Sequence, residues 1–293
     1  MACCNNHDSD MPHPSAVIAP ATDDSPRILA VSLNRSASFH DDWKAVMSAI
    51  AARARFQRVK TVAGTLRKLG SSPLPDAVLI TDGALIERNE DTDKILEAIL
   101  GYVQKDGGGR VVCALDFARS ISVSSEFSNQ KLTDFFRRVG LSWSYGGRSH
   151  REFVVHMNPE AESIPKDVVE DMPSRYLVRA VTLKDVARTE AWYLPGPESP
   201  GQNAVGVLDA ASPSSLSEEK QDMEQTPVAF GRLGKGMFGY VSALDCELST
   251  CPVILAMCGI KIPGLLHHLS AERDVNGDAG GSVCHRATEG LQR

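Results

Sequence analysis

No run in this 293-residue chain reaches the roughly 18 consecutive apolar residues that a membrane helix needs. Its opening, MACCNNHDSDMPHPS, lacks both the basic and the apolar region of a secretory signal. A basic surplus is missing as well. With 31 Lys and Arg against 37 Asp and Glu, the net charge is −6, and the cations are scattered. A general nucleic-acid binder needs a basic face to displace counterions, and this mild acidity argues against one. The seven cysteines have no regular spacing and are odd in number, so they read as reduced thiols and not as a disulfide framework. These absences set the expectation of a cytoplasmic protein (a nuclear one stays open) with neither membrane nor nucleic acid as a partner.

Several chemical motifs are missing too. There is no G-x-S-x-G, so a hydrolase serine has no elbow to sit on. "GRLGKG" at 231–236 has glycines and a lysine but not the Walker spacing, and it reads as a hairpin turn. "GGGR" at 107–110 leads into a strand and does not leave one, so it is no dinucleotide fingerprint. Cys246, Cys251 and Cys258 are spaced too widely for a compact zinc knuckle, even with His267 and His268 added. No metal and no cofactor is expected.

What is present is a regular alternation. "RILAVSL", "FQRVKTV", "DAVLITDG" and "GGGRVVCALDF" read as strands, the first and third as continuous apolar runs. Between and after them, "FHDDWKAVMSAIAARA", "VAGTLRKLGS", "NEDTDKILEAILGYVQKD" and "QKLTDFFRRVGLSW" read as helices, most with one apolar face. Strand and helix joined by short connections predict right-handed βαβ units and an α/β fold. The fold class is three-layer, with a mostly parallel sheet and helices on both faces. "REFVVHMN", "YLVRAVTLKDV" and "ARTEAWYL" predict an antiparallel extension at the sheet edge. "PVAFGRLGKGMFGYVSAL" predicts a hairpin, and "STCPVILAMCGI" a final short helix or buried segment. The expected organisation is a disordered tail over 1–25, one domain over 26–262 with a flexible insert at 195–226, and a loose C-terminal tail over 263–293.

In an open α/β sheet, ligands bind at the carboxyl ends of the strands. Those ends carry Asn34, Arg35 and Ser36 after the first strand, Asp82 and Gly83 after the third, and Asp116 and Phe117 after the fourth. Two readings stand side by side. Asp82 and Asp116 could form an acid/base pair in a polar pocket, with Arg35 orienting an anionic substrate. Alternatively, both acids cap the turns or helices that come after them. Cys113, inside its strand, reads as a packed apolar residue.

The alternating α/β half followed by "PVAFGRLGKGMFGYVSALDCE" and "VILAMCG" resembles the class I glutamine amidotransferase-like fold, in its trehalose-utilisation (ThuA-like) branch. The likeness covers residues 27–260, and its most specific part is about 20 residues long, centred on the hairpin. The chain is also similar to fungal proteins of no settled activity that share "ILAVSLNRS", "AVLITD" and "GKGxxGYV…VILAMCG". The resemblance implies a nucleophilic cysteine in a G-x-C-x-G elbow, completed by a later His and Glu. Here the equivalent strand reads "VVCALDFARS": no glycine flanks Cys113, and the elbow residue falls near Asp116 and Phe117. Where the later pair would stand, the chain reads "SALDCEL". All three catalytic roles are missing, so glutaminase activity is not expected. The expected function is that of a catalytically inactive amidotransferase-like domain, a binding or accessory module for a protein or a small metabolite. The alternative is an enzyme of another type acting on a small polar metabolite at the strand ends, within a fungal biosynthetic pathway.

Overall fold

A computed structural model describes residues 24–34, 36–121, 126–196, 225–245 and 248–261, with the backbone alone at 126–128. Most of the expected N-terminal tail and insert, the C-terminal tail, and Arg35, Cys246, His267 and His268 lie outside these residues.

The first half alternates as its periodicity predicts. Strands β1 (Arg27–Val31), β2 (Arg55–Val59), β3 (Ala77–Ile80) and β4 (Arg110–Cys113) are separated by helices α1 (Phe39–Asp42), α2 (Lys44–Ala51), α3 (Val62–Leu69) and α4 (Glu90–Gln104). Helices α5 (Asp116–Arg119) and α6 (Glu126–Val139) come next. The second half contains β5 (Ser144–Arg148), β6 (Phe153–Met157), β7 (Arg175–Val178), β8 (Val181–Lys184), β9 (Ala191–Pro195), β10 (Val228–Leu233), β11 (Gly236–Val241) and helix α7 (Cys251–Met257).

Among the described residues, nine strands make one sheet in the order β2-β1-β3-β4-β11-β10-β9-β6-β7. β2, β1, β3, β4 and β11 run parallel, with Ala30 opposite Leu79 and Val111 opposite Phe238. From β10 to β7 every pairing is antiparallel, which is the expected extension. Successive residues of a strand point to opposite faces, and both faces are covered. Ile28, Ala30, Leu79 and Val112 share a core with Trp43, Val46 and Ile50 and with α7. Leu29, Val31, Val78 and Ile80 face the other way, into a core with α4 and α6. Burial on both sides is why these strands read as unbroken apolar runs.

The second of these cores is rich in aromatics. Phe136 meets Phe135, Trp143, Phe238 and Tyr240 with ring centroids 5.3–6.4 Å apart, all near edge-on. Such arrangements match the ring quadrupoles. Cys113 lies in the same core, fully buried.

Three local departures from the sequence pattern have physical causes. The helix over 39–54 breaks at Trp43, whose backbone leaves helical angles (φ −108°, ψ 11°) while its indole donates to Asp116. "YLVRAVTLKDV" is two strands, because the chain turns at Arg179 and Ala180 from the large sheet into a separate two-stranded sheet of β5 and β8. β5, "SYGGR", gives no strand signal, since two glycines interrupt any alternation.

The glycine run at 107–109 is set by close packing. Gly108 has φ +64°, and a Cβ there would lie 2.1 Å from the Lys235 carbonyl oxygen in the β10–β11 turn. That turn is the hairpin expected from "GRLGKG", and its lysine pairs with Asp106 at 2.5 Å.

Candidate functional site

The strand-to-helix turn after β4 centres on Leu115, one residue before the position expected for it. Leu115 has φ 63° and ψ −124°, a region that non-glycine residues rarely occupy. Its side chain is 1% exposed and packs with Ala114 in the apolar core. A turn of this kind can lift a nucleophile from the end of a strand. Here it carries an aliphatic side chain with no reactive atom. Cys113, two residues earlier, is fully buried, and burial pushes its thiol well above the ordinary range, away from the reactive thiolate.

Asp116 is 3% exposed. Its Oδ1 accepts from the Trp43 indole Nε1 at 2.9 Å and from Arg119 Nη1 at 3.3 Å, and its Oδ2 accepts from Ser36 Oγ at 2.7 Å. Arg119 also reaches Asp42 Oδ2 at 2.6 Å, so α1, α5 and the loop after β1 meet through one carboxylate.

Asp82 is 1% exposed and caps the 3-10 turn Gly83–Ile86. Its Oδ1 accepts from the Ala84 amide and its Oδ2 from the Asn34 amide, both at 3.0 Å. Burial raises its pKa from the ordinary 3.8, opposed by backbone donors at Ala84, Asn34 and Leu33, with a smaller upward push from Asp116. Beside it, Ser32 Oγ and Thr81 Oγ1 are 2.7 Å apart. Gly83 donates to Ser120 Oγ at 3.1 Å, and a Cβ on it would come within 2.6 Å of the Ser120 Cβ.

The strand order reverses between β1 and β3, the place where a doubly wound sheet opens a ligand crevice. At that place in this chain, Ser32 bonds Thr81, and Asp82 accepts from the Asn34 amide in the loop after β1. The structure therefore brings Asp82, Asp116, Asn34 and Ser36 into one hydrogen-bonded assembly, with Asn34 contributing its backbone amide. Arg35 lies outside the described residues. Trp43, Arg119 and Asp42, which complete the assembly, carry no motif. Only the indole, a buried donor that must find an acceptor, could have pointed to Asp116.

The remaining thiols are packed. Cys251 and Cys258 are buried in and beside α7, and burial pushes each up to about 12. Among the described residues, no three His, Cys, Asp or Glu side chains group as metal ligands would, and no helix is long and apolar enough to cross a membrane.

No family model matches the chain, and no curated protein matches it. Among solved structures it is similar to a protein of Bacteroides uniformis described as ThuA-like, at 9% identity and a TM-score of 0.48, over 80% of this chain and 91% of that one. A second protein so described, from Parabacteroides merdae, gives 15% identity and a TM-score of 0.43 over 88% and 93% of the two chains. A β-galactosidase of Bacillus circulans gives 12% identity and a TM-score of 0.43 over 81% of this chain and 32% of that one.

This geometry has two measurable outcomes. Asp116→Ala leaves the Trp43 N–H buried without an acceptor and Arg119 without one of its partners, and it lowers unfolding free energy by about 3 kcal/mol in urea titration. Asp116→Asn costs less, because its carbonyl oxygen still accepts from the indole; an alanine variant as stable as the parent would contradict the assembly. For Asp82 the sign runs the other way from a salt-bridged acid. Its folded-state pKa lies above its unfolded one, so its contribution is fully present below pH 3.8 and is lost as pH rises through the raised value. The stability of the parent minus that of Asp82→Asn therefore falls with rising pH across that window. A difference that stays flat would show that Asp82 is not held in a desolvated site.

Proposed function

We propose that this chain is a catalytically inactive binding or accessory module built on an amidotransferase-like scaffold. The observation that carries the reading is Leu115, a buried leucine at the strained turn where the chemistry of such a scaffold calls for a nucleophile. Two further observations support it. Cys113 faces the core and not the crevice, and both acids at the strand ends are already engaged by donors from their own chain.

An enzyme using Asp82 and Asp116 as an acid/base pair would need at least one carboxylate presented to substrate. Asp116 instead receives three side-chain donors and Asp82 two backbone amides, an arrangement that positions a loop. An accessory role in a biosynthetic pathway, as the likeness to fungal proteins implies, is compatible with this module and requires no chemistry from it.

The direct test is incubation of the full chain with millimolar glutamine and measurement of ammonia release. No release above the blank is expected, from the parent or from Asp116→Asn. Release by the parent that disappears in Asp116→Asn would overturn the non-catalytic reading.

A further inference from the structure

Three arginines from distant parts of the chain gather beside the Leu115 turn. Arg119 closes α5, Arg148 closes β5, and Arg179 stands at the corner between β7 and β8. Backbone pairing fixes the last two relative to each other. Arg148 is opposite Val181 in the small sheet, and the Ser149 amide donates to the Ala180 carbonyl at 2.8 Å. The Tyr240 hydroxyl donates to the Val181 carbonyl at 2.9 Å, and the Leu244 amide donates to the Arg179 carbonyl at 2.8 Å. Together these bonds anchor the corner at the carboxyl end of β11, next to that of β4.

Two of the three guanidinium groups have acidic partners: Arg119 has Asp42 and Asp116, and Arg179 has Asp245. Arg148 has none among the described residues. Its Nη1 donates to the Ile121 carbonyl at 2.7 Å, which meets one of the five N–H groups on a planar fork. The side chain is half-buried, and its pKa is lowered, first by burial and then by the neighbouring Arg179 charge, with Arg119 adding to the repulsion. Arg179 supplies a second unmet donor: its Nε is buried and has no hydrogen-bond partner among the described residues. Buried donors ordinarily find acceptors. Here two adjacent guanidinium groups present unmet donors beside a turn that scaffolds of this kind use for ligand chemistry.

We infer that Arg148 and Arg179 form a binding site for a small oxyanion, a phosphate or carboxylate group on a metabolite, at the carboxyl ends of β4 and β11. Such an anion accepts from a planar guanidinium in bidentate geometry and offsets the repulsion between the two cations. This names the ligand class of the module proposed above and rests on that reading. An open groove of about 610 Å³, lined by Arg27, Arg55, Lys68 and Pro75, lies at the opposite, amino ends of β1 and β2. There Arg27 is already held by Asp76, and none of its lining side chains has a buried unmet donor.

The test is thermal unfolding of the full chain titrated separately with sodium phosphate and with succinate, ionic strength being held constant with sodium chloride. A ligand that binds only the folded state gives a saturating rise in Tm, whereas general stabilisation by a kosmotropic salt has no specific side-chain requirement. A saturating rise with at least one probe is expected, its midpoint weakened tenfold or more by Arg148→Gln and less by Arg148→Lys, which keeps the charge without the fork. Arg55→Gln, in the opposite groove, should leave the curve unchanged. Should Arg148→Gln fail to fold by circular dichroism, Arg179→Gln reads the same loss and the lysine variant a smaller one. A response to phosphate alone identifies a phosphoryl ligand, and a response to succinate alone a carboxylate. Absence of saturation with both probes, a response retained in Arg148→Gln, or one lost in Arg55→Gln would overturn the inference. Chemical turnover of a bound anion would leave the site standing and overturn the non-catalytic reading instead.

Discussion

A carboxylate taken out of water must be met by donors, and at the strand ends of this fold two buried carboxylates are met by the chain itself. Asp82 holds the amide of Asn34, and Asp116 holds Ser36, Trp43 and Arg119. Much of the local architecture depends on that requirement. It fixes the path of the chain from β1 to α2, breaks the first helix at Trp43, and fastens the short helix α5 to the opposite layer. It also ties the loop to the strand ends at the switch in strand order, where a sheet of this kind would ordinarily admit a ligand.

The same turn that presents Asp116 joins a strained backbone to an apolar side chain. Leu115 holds backbone angles that non-glycine residues rarely adopt, and strain of that sort persists only where the surroundings over-determine it. Here the surroundings are an apolar core on one side of the strand end and the Asp116 assembly on the other. One strand over, Arg148 and Arg179 carry guanidinium donors that the described residues leave unmet.

The parallel half of the fold was legible because it is buried on both faces. The apolar runs at β1 and β3 and the stripes on α2 and α4 are the direct imprint of that burial. The hairpin of β10 and β11 was legible from its glycines. β5 was not, because Gly146 and Gly147 erase its alternation, and the corner at Arg179 was not, because "YLVRAVTLKDV" is apolar on both sides of it. At the site, Asp82 and Asp116 could be picked out as acids closing apolar strands, and both sit at those ends. The pairing could not be read, since Trp43 and Ser36 reach Asp116 from 73 and 80 residues away in sequence. The arginine cluster was hidden for the same reason: its members belong to three segments joined only by sheet pairing.

The strand-end acids clamp the loop after β1, and amide hydrogen exchange at Asn34 reads that clamp directly. Its amide is predicted to exchange slowly in the parent and at least tenfold faster in Asp82→Ala, while the core amides of β3 remain protected. An Asn34 amide that already exchanges in the parent at the rate of an open loop would contradict the account.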